Sequence, residues 1–216
     1  MKRYTNFREI AGDTNLALLR GIQFKPVGWA YAHKDGNPWE FIVAERYKRE
    51  DPVRKGQLVV PGGGVEMAEH PYEAAIREAR EEAGVRASFR QYIKPTFSVL
   101  KPREKAVSLL FRNGVVLVHY TDTGKAYNCL LADCTTSDEP QNMTESDARN
   151  PRFMGRDEAL GRQSEFTPAV QTALDMIGSA TNWGKVKGRD TLVREELGDV
   201  VLEVKEAELL QYLMSK

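Results

Sequence analysis

Residues Gly63 to Val85 read GGVEMAEHPYEAAIREAREEAGV, and this stretch decides the reading of the whole chain. A glycine-rich run from Pro61 to Gly64 precedes a segment, Pro71 to Ala83, with the composition and spacing of a helix. Pro71 suits a first helical turn, because its φ is preset and the N–H it lacks would go unsatisfied there. His70 stands where Ser, Thr, Asp or Asn would cap better, so a poorer cap is expected. Tyr72, Ile76, Ala79 and Ala83 make a core-facing stripe, and the alanines at 74, 75, 79 and 83 allow close packing on a sheet. The other face carries Glu78, Glu81 and Glu82 within one turn, where side chains three and four apart are neighbours. Such like charges destabilise a bare helix by roughly a few tenths of a kcal/mol per pair. Arg77, four before Glu81, and Glu73, four before Arg77, offset part of this. Acids that only solvate a surface spread out or pair with Lys at i+4. Acids clustered after a glycine loop supply the hard oxygen ligands that magnesium or manganese requires.

The order Gly63, Glu69, then Arg77-Glu78-Ala79-Arg80-Glu81-Glu82-Ala83-Gly84-Val85 resembles the complete Nudix box, and Pro61-Gly62-Gly63 and Glu66 fit its usual opening. Ala68, Ala79 and His70 depart from the common pattern, but none removes a charge. The resemblance implies an α+β fold, a Nudix-like α/β/α sandwich with a mixed sheet. It also implies hydrolysis of a phosphoanhydride (pyrophosphate) bond with Mg2+, for which Mn2+ may substitute. Glu78, Glu81 and Glu82 would then hold the cation with a carbonyl of Gly62 or Gly63, while Arg77 and Glu69 orient the helix and its carboxylates. The base that positions water would be Glu82, Glu78 or an acid of the loop 138–147, which offers Glu139, Glu145 and Asp147; Glu145 is favoured.

Outward from the box, Val27 to His33 and Trp39 to Arg46 read as strands about a polar turn. Ala87 to Lys94, Val107 to Arg112, Val115 to Tyr120 and Tyr127 to Asp133 are further strands, with Asn113-Gly114 as a hairpin turn. Residues 135–152 read as a long polar loop, expected to order over the site, and Gly155 to Leu160 and Thr167 to Ile177 as helices. Three regions follow: an N-terminal arm, 1–21; a hydrolase domain, 22–178; and a C-terminal extension, 179–216, with strands at 191–195 and 200–204 and a helix from Lys205 to Met214. The apolar stripe of that extension must dock on its own core or on a second subunit, so a homodimer is one expectation.

Lys+Arg and Asp+Glu balance at 31 each, so no global field marks nucleic acid or an anionic membrane as partner, although an RNA 5′ end stays open as a substrate. Cys129 and Cys134 are read as buried thiols on opposite faces of a strand, and no zinc constellation appears. The N-terminus has no apolar signal core and no stretch is long enough to span a bilayer, which makes a cytoplasmic protein the expectation. The basic segments around Arg46 and at Lys101 to Lys105 are candidates to grip phosphates. Arg46, Arg103 and Phe97, the last as a base-stacking ring, are the substrate-binding candidates. The substrate is expected to be a small nucleotide, a nucleoside diphosphate linked to another moiety. An ADP-ribose-like molecule is favoured, because Pro102 lies near where an ADP-ribose-cleaving subgroup carries a proline. Nucleoside triphosphates are the alternative, and a non-catalytic nucleotide sensor is the competing class; such sensors usually lose box glutamates, which this chain keeps.

Overall fold

A computed structural model describes residues 2–4, 13–49, 51–94, 98–144, 146–179, 200–202 and 205–215. In chain order the elements are β1 (Lys2–Tyr4), α1 (Thr14–Ala17), β2 (Lys25–Lys34), β3 (Asn37–Arg46), β4 (Leu58–Val59), β5 (Gly62–Gly64) and α2 (Pro71–Ala83). Then come β6 (Ser88–Tyr92), β7 (Ser98–Pro102), β8 (Ala106–Leu110), β9 (Val115–Tyr120), β10 (Ala126–Thr136) and β11 (Ala148–Gly155). The chain closes with α3 (Arg156–Gly161), α4 (Pro168–Ser179), β12 (Val200–Leu202) and α5 (Glu206–Met214). The fold is α+β, with antiparallel hairpins and the parallel pair β1–β12 making a mixed sheet. Among the described residues no helix is long and apolar enough to cross a membrane. The chain divides into two compact units.

One unit comprises Pro26–Ile93 and Cys129–Leu174 and carries the box. Its strands run in the order β10-β2-β3-β11, with β6 on β10, β5 on β2 and β4 on β3. Residues 27–33 of β2 and 41–44 of β3 are buried without alternation, as in strands covered on both faces. Along β2 the side chains still alternate in size. Ala30 and Ala32 share a core with Ala75, Ala79 and Ala83 of α2, while the large Trp29, Tyr31 and His33 point the other way. Small residues on both elements let helix and strand approach closely. At Gly28 a Cβ would stand 1.9 Å from the Pro71 carbonyl oxygen and 2.9 Å from the Ala75 nitrogen, both backbone atoms that cannot turn aside. Tyr72 and Ile76, expected in the core, are half-buried and flank it, with Tyr72 stacked on Phe89 of β6 at 4.6 Å.

The expected long loop 135–152 is shorter. β10 runs to Thr136 and β11 begins at Ala148, leaving 137–147 as the connection. Asn150-Pro151 has turn chemistry, but pairing with β3 makes this stretch a strand. A register shift between Arg149 and Arg152 takes up Asn150, whose φ is 51°, and Pro151. β11 ends the strand order, the position at which a residue with no N–H to donate is tolerated.

The other unit comprises Met1–Lys25, Lys94–Asn128 and Asp175–Lys216. β12 lies between β1 and β7, and β7, β8 and β9 form a meander. Leu209 and Leu213 of α5 pack with Leu16, Leu19, Leu100, Leu109, Phe111 and Leu202, so the C-terminal stripe docks on its own chain. The expected strand 191–195 lies outside the described residues. Lys101 and Pro102, the start of the second basic segment, belong to β7, and the turn to β8 closes through the Arg103 N–H on the Ala106 carbonyl.

Two substitutions test this packing. Gly28→Ala should destabilise by about 3 kcal/mol or more, since neither backbone partner can yield. Leu209→Ala should cost about 2–5 kcal/mol by emptying a fully buried site. Urea denaturation of each variant against wild type measures both.

Candidate active site

The box helix starts better than His70 alone would allow. The Glu73 carboxylate reaches back to accept the His70 N–H at 2.7 Å, supplying the reciprocal half of a capping box. The helix ends at Gly84, whose N–H returns to the carbonyls of Ala79 and Arg80. Between these ends, Arg77 is the organiser. Its Nε and Nη2 donate to the two Glu69 oxygens at 3.0 and 3.2 Å, its Nη1 to Glu78 at 2.7 Å and Glu81 at 3.2 Å, and its Nη2 also to the Gly64 carbonyl at 2.8 Å. One cation thus ties the glycine loop, the turn that follows it and the acidic face together, and it holds the Glu69 carboxyl below its ordinary range.

The glycine loop lies directly on that face. A Cβ at Gly63 would stand 1.9 Å from Glu78 Oε1, so a side chain there would displace the carboxylate from this position. The Gly62 N–H donates to Glu82 Oε2 at 3.0 Å. Burial of its carboxylate, then the neighbouring Glu78 charge, push the Glu82 carboxyl up to about 8, against that hydrogen bond. Burial also raises Glu78, with Arg77 opposing. Glu81 is half-exposed.

Glu78, Glu81, Glu82, Met143, Thr144, Ser146 and Asp147 line a cavity of about 580 Å³. The wall opposite the helix comes from the 137–147 connection, which the helix itself anchors. The Gln141 N–H donates to the Ala83 carbonyl at 2.9 Å, and Arg86 grips Asp138 through its backbone and guanidinium. The far end is pinned at β3, where the Tyr47 N–H meets the Asp147 carbonyl at 2.6 Å and Lys48 Nζ meets Asp147 Oδ2 at 2.7 Å.

Of the three loop acids, Asp147 faces the box carboxylates, whereas Glu139 pairs with Lys34 at 2.8 Å on the β2–β3 hairpin. Glu145 and Phe97 lie outside the described residues, though Thr144 and Ser146 on either side of Glu145 line the cavity. Arg46 ends β3 with its Nε on Asp51 Oδ2 at 3.0 Å. Arg103 belongs to the other unit, where it and the fully buried Lys101 share the Asp175 carboxylate at 3.2 and 3.0 Å. The sequence reading missed Asp51 and the Lys48–Asp147 contact. The spacing of Asp51 and Arg54, one turn apart, was the available signal for the first; nothing local signals the second.

Among the described residues no three acidic, His or Cys side chains are already drawn together as a ligand set, and Arg77 and Gly62 each hold an oxygen, of Glu78 and of Glu82 respectively. Beside Met143, the side chains lining the cavity all carry oxygen donors, with carboxylates dominant, the chemistry of a hard divalent cation. The glycine loop and the clustered glutamates on the following helix define a class of phosphoanhydride hydrolases. The family profile described as NUDIX domain matches residues 31–167, more than half of the chain. This protein belongs to the Nudix family and is a hydrolase of pyrophosphate bonds in nucleoside diphosphate derivatives. Nudix hydrolases generally use divalent metal ions.

Solved structures agree in fold. A MutT protein from Methanosarcina mazei Go1 is 14% identical with TM-score 0.51, over 73% of this chain and 94% of that one. A NUDIX hydrolase from Nitrosomonas europaea is 17% identical with TM-score 0.52, over 73% and 92%. A MutT NUDIX hydrolase from Burkholderia pseudomallei is 19% identical with TM-score 0.50, over 71% and 98%. No curated protein matches the sequence.

Arg77→Ala should destabilise by about 2–3 kcal/mol, because Glu69 and Glu78 lose a charged donor where both are largely buried. Arg77→Lys should recover only part of this, since an ammonium cannot reproduce the planar fork. Chemical denaturation compares the two; wild-type stability in Arg77→Lys would deny the fork its role.

Proposed function

We propose that this chain is a magnesium-dependent pyrophosphohydrolase, accepting manganese, whose substrate is a nucleoside diphosphate joined to a second moiety, ADP-ribose-like in kind. The observation that carries the reading is the cavity in which Glu78, Glu81 and Glu82 of one helix face meet Asp147 beside a glycine loop. The residues suit the ion. Glu82 is a carboxylate whose burial opposes its charge, the environment that a cation would relieve. Glu78, Glu81 and Glu82 would hold it together with a carbonyl of Gly62 or Gly63. When bound, a divalent cation neutralises pyrophosphate oxygens and lowers the pKa of an attacking water.

The rest of the chemistry falls to the chain. Arg77 and Glu69 fix the acidic face against the loop, and Gly63 leaves the Glu78 carboxylate its place. Arg46, at the end of β3, is the group to meet a substrate phosphate. Asp147 or Glu145 serves as the base that orients water, Asp147 having a described place in the cavity wall. The preference for an ADP-ribose-like substrate rests on the sequence position of Pro102, at the end of β7.

The test is a nucleotide panel with magnesium and with manganese, products identified by mass. ADP-ribose should yield AMP and ribose 5-phosphate, whereas release of inorganic pyrophosphate from a nucleoside triphosphate would shift the substrate class. Chelator should abolish turnover. Glu81→Gln and Glu82→Gln should each lower the rate at least about 100-fold with the fold retained by circular dichroism, since each removes a charged ligand. Turnover near wild type in either variant would sink the ligand assignment.

A further inference from the structure

Arg46 sits where three kinds of restraint meet. Alternation along β3 puts Ile42, Ala44 and Arg46 on one face, and Ile42 packs with Ala75, Ala79 and Ala83 of α2, so Arg46 leaves the strand on the helix side. Its cross-strand partner is Ala148, next to the cavity-lining Asp147. Its backbone is held on the other side by the Gln57 carbonyl at 2.9 Å and the Gly56 N–H at 2.8 Å.

The side chain is pinned at one atom. Nε donates to Asp51 Oδ2 at 3.0 Å, and among the described residues neither Nη of Arg46 has a hydrogen-bond partner. The other Asp51 oxygen accepts from Arg54 Nη1 at 3.0 Å. The Asp51 and Arg54 side chains are 7% and 6% exposed, whereas Arg46 is 29% exposed. A buried carboxylate needs compensation, and Arg54 already supplies one full positive charge. Arg46 is therefore a second guanidinium on an already paired acid, with its Nη edge, the part of the fork that grips phosphate oxygens, uncommitted. Its charge reaches the Glu82 carboxyl, which it draws downward.

We infer that Asp51 is a positioning residue: anchored by Arg54, it fixes Arg46 so that both Nη groups meet a phosphate oxygen of a pyrophosphate substrate in the cavity of Glu78, Glu81, Glu82 and Asp147. The inference rests on the function proposed above. Asp51 touches no substrate in this arrangement and acts only through Arg46, which separates it from a merely structural acid. Removing it should weaken substrate binding, and should do nothing further once Arg46 has been changed.

The experiment is a double-mutant cycle on the full chain with magnesium and ADP-ribose, using Arg46→Lys, Asp51→Asn and the pair. KM should rise about 10-fold in each single variant, the loss of one charged hydrogen bond, with a smaller change in kcat, and the pair should match Arg46→Lys alone. Additive effects, or a wild-type KM in folded Asp51→Asn, would overturn the inference. A second readout is the Nε–H resonance of Arg46 in 15N-labelled wild type, assigned by its loss in Arg46→Lys. Magnesium methylenediphosphonate should shift it; an unmoved signal at saturation overturns the inference even if Asp51→Asn does not fold. A shift without turnover of ADP-ribose would retain the phosphate clamp and reject the substrate reading. Turnover with additive effects would do the reverse.

Discussion

The site depends first on one guanidinium. Three glutamates within one turn repel one another, and a helix that carries them needs a reason to keep its shape. Arg77 provides it by sharing donors among Glu69, Glu78, Glu81 and the Gly64 carbonyl. Because two of those partners precede the helix, the same bonds hold the glycine loop against the acidic face. The Gly62 N–H on Glu82 fixes the loop at a second point. Loop and helix therefore form one rigid corner, and the carboxylates in it are oriented by contacts away from the cavity.

That corner sits on the sheet at a distance set by small side chains. Ala30 and Ala32 of β2 meet Ala75, Ala79 and Ala83 of α2, and Gly28 lies under the first helical turn with no space for a Cβ. Close approach places the end of β3, with Arg46 and Lys48, beside the same carboxylates. The opposite wall is tied to the helix through Gln141 on Ala83, to the segment after it through Arg86 on Asp138, and to the strand end through Tyr47 and Lys48 on Asp147. Both walls of the cavity thus take their position from one helix and one strand end.

Charge is distributed by the same economy of contacts. Asp51 takes one guanidinium into burial and leaves a second at the margin, while in the other unit Lys101 and Arg103 converge on the single buried carboxylate of Asp175. The two basic segments look alike in sequence and play different parts. The residues around Arg46 border the carboxylates of their own unit, and Lys101 is held within a strand whose core includes Leu100 and Leu109.

The sequence by itself determined the chemistry of the helix face. Residues three and four apart must be neighbours on any α-helix, so the cluster of Glu78, Glu81 and Glu82, its Arg77 partner and the helix bounds at Pro71 and Ala83 were legible from spacing alone. The β2–β3 and β8–β9 hairpins were legible because their turn residues are local signals. Tertiary structure decided what lies across the cavity. Asp147 faces the box and Glu139 does not; β11 is a strand despite Asn150-Pro151; Tyr72 and Ile76 flank the core that the alanines fill; Asp51 lies between Arg46 and Arg54. Nearly all of these depend on which distant backbone pairs with β3 and how closely α2 approaches β2. Pairing between segments more than a hundred residues apart, as in β3 with β11, leaves no periodic trace in either one.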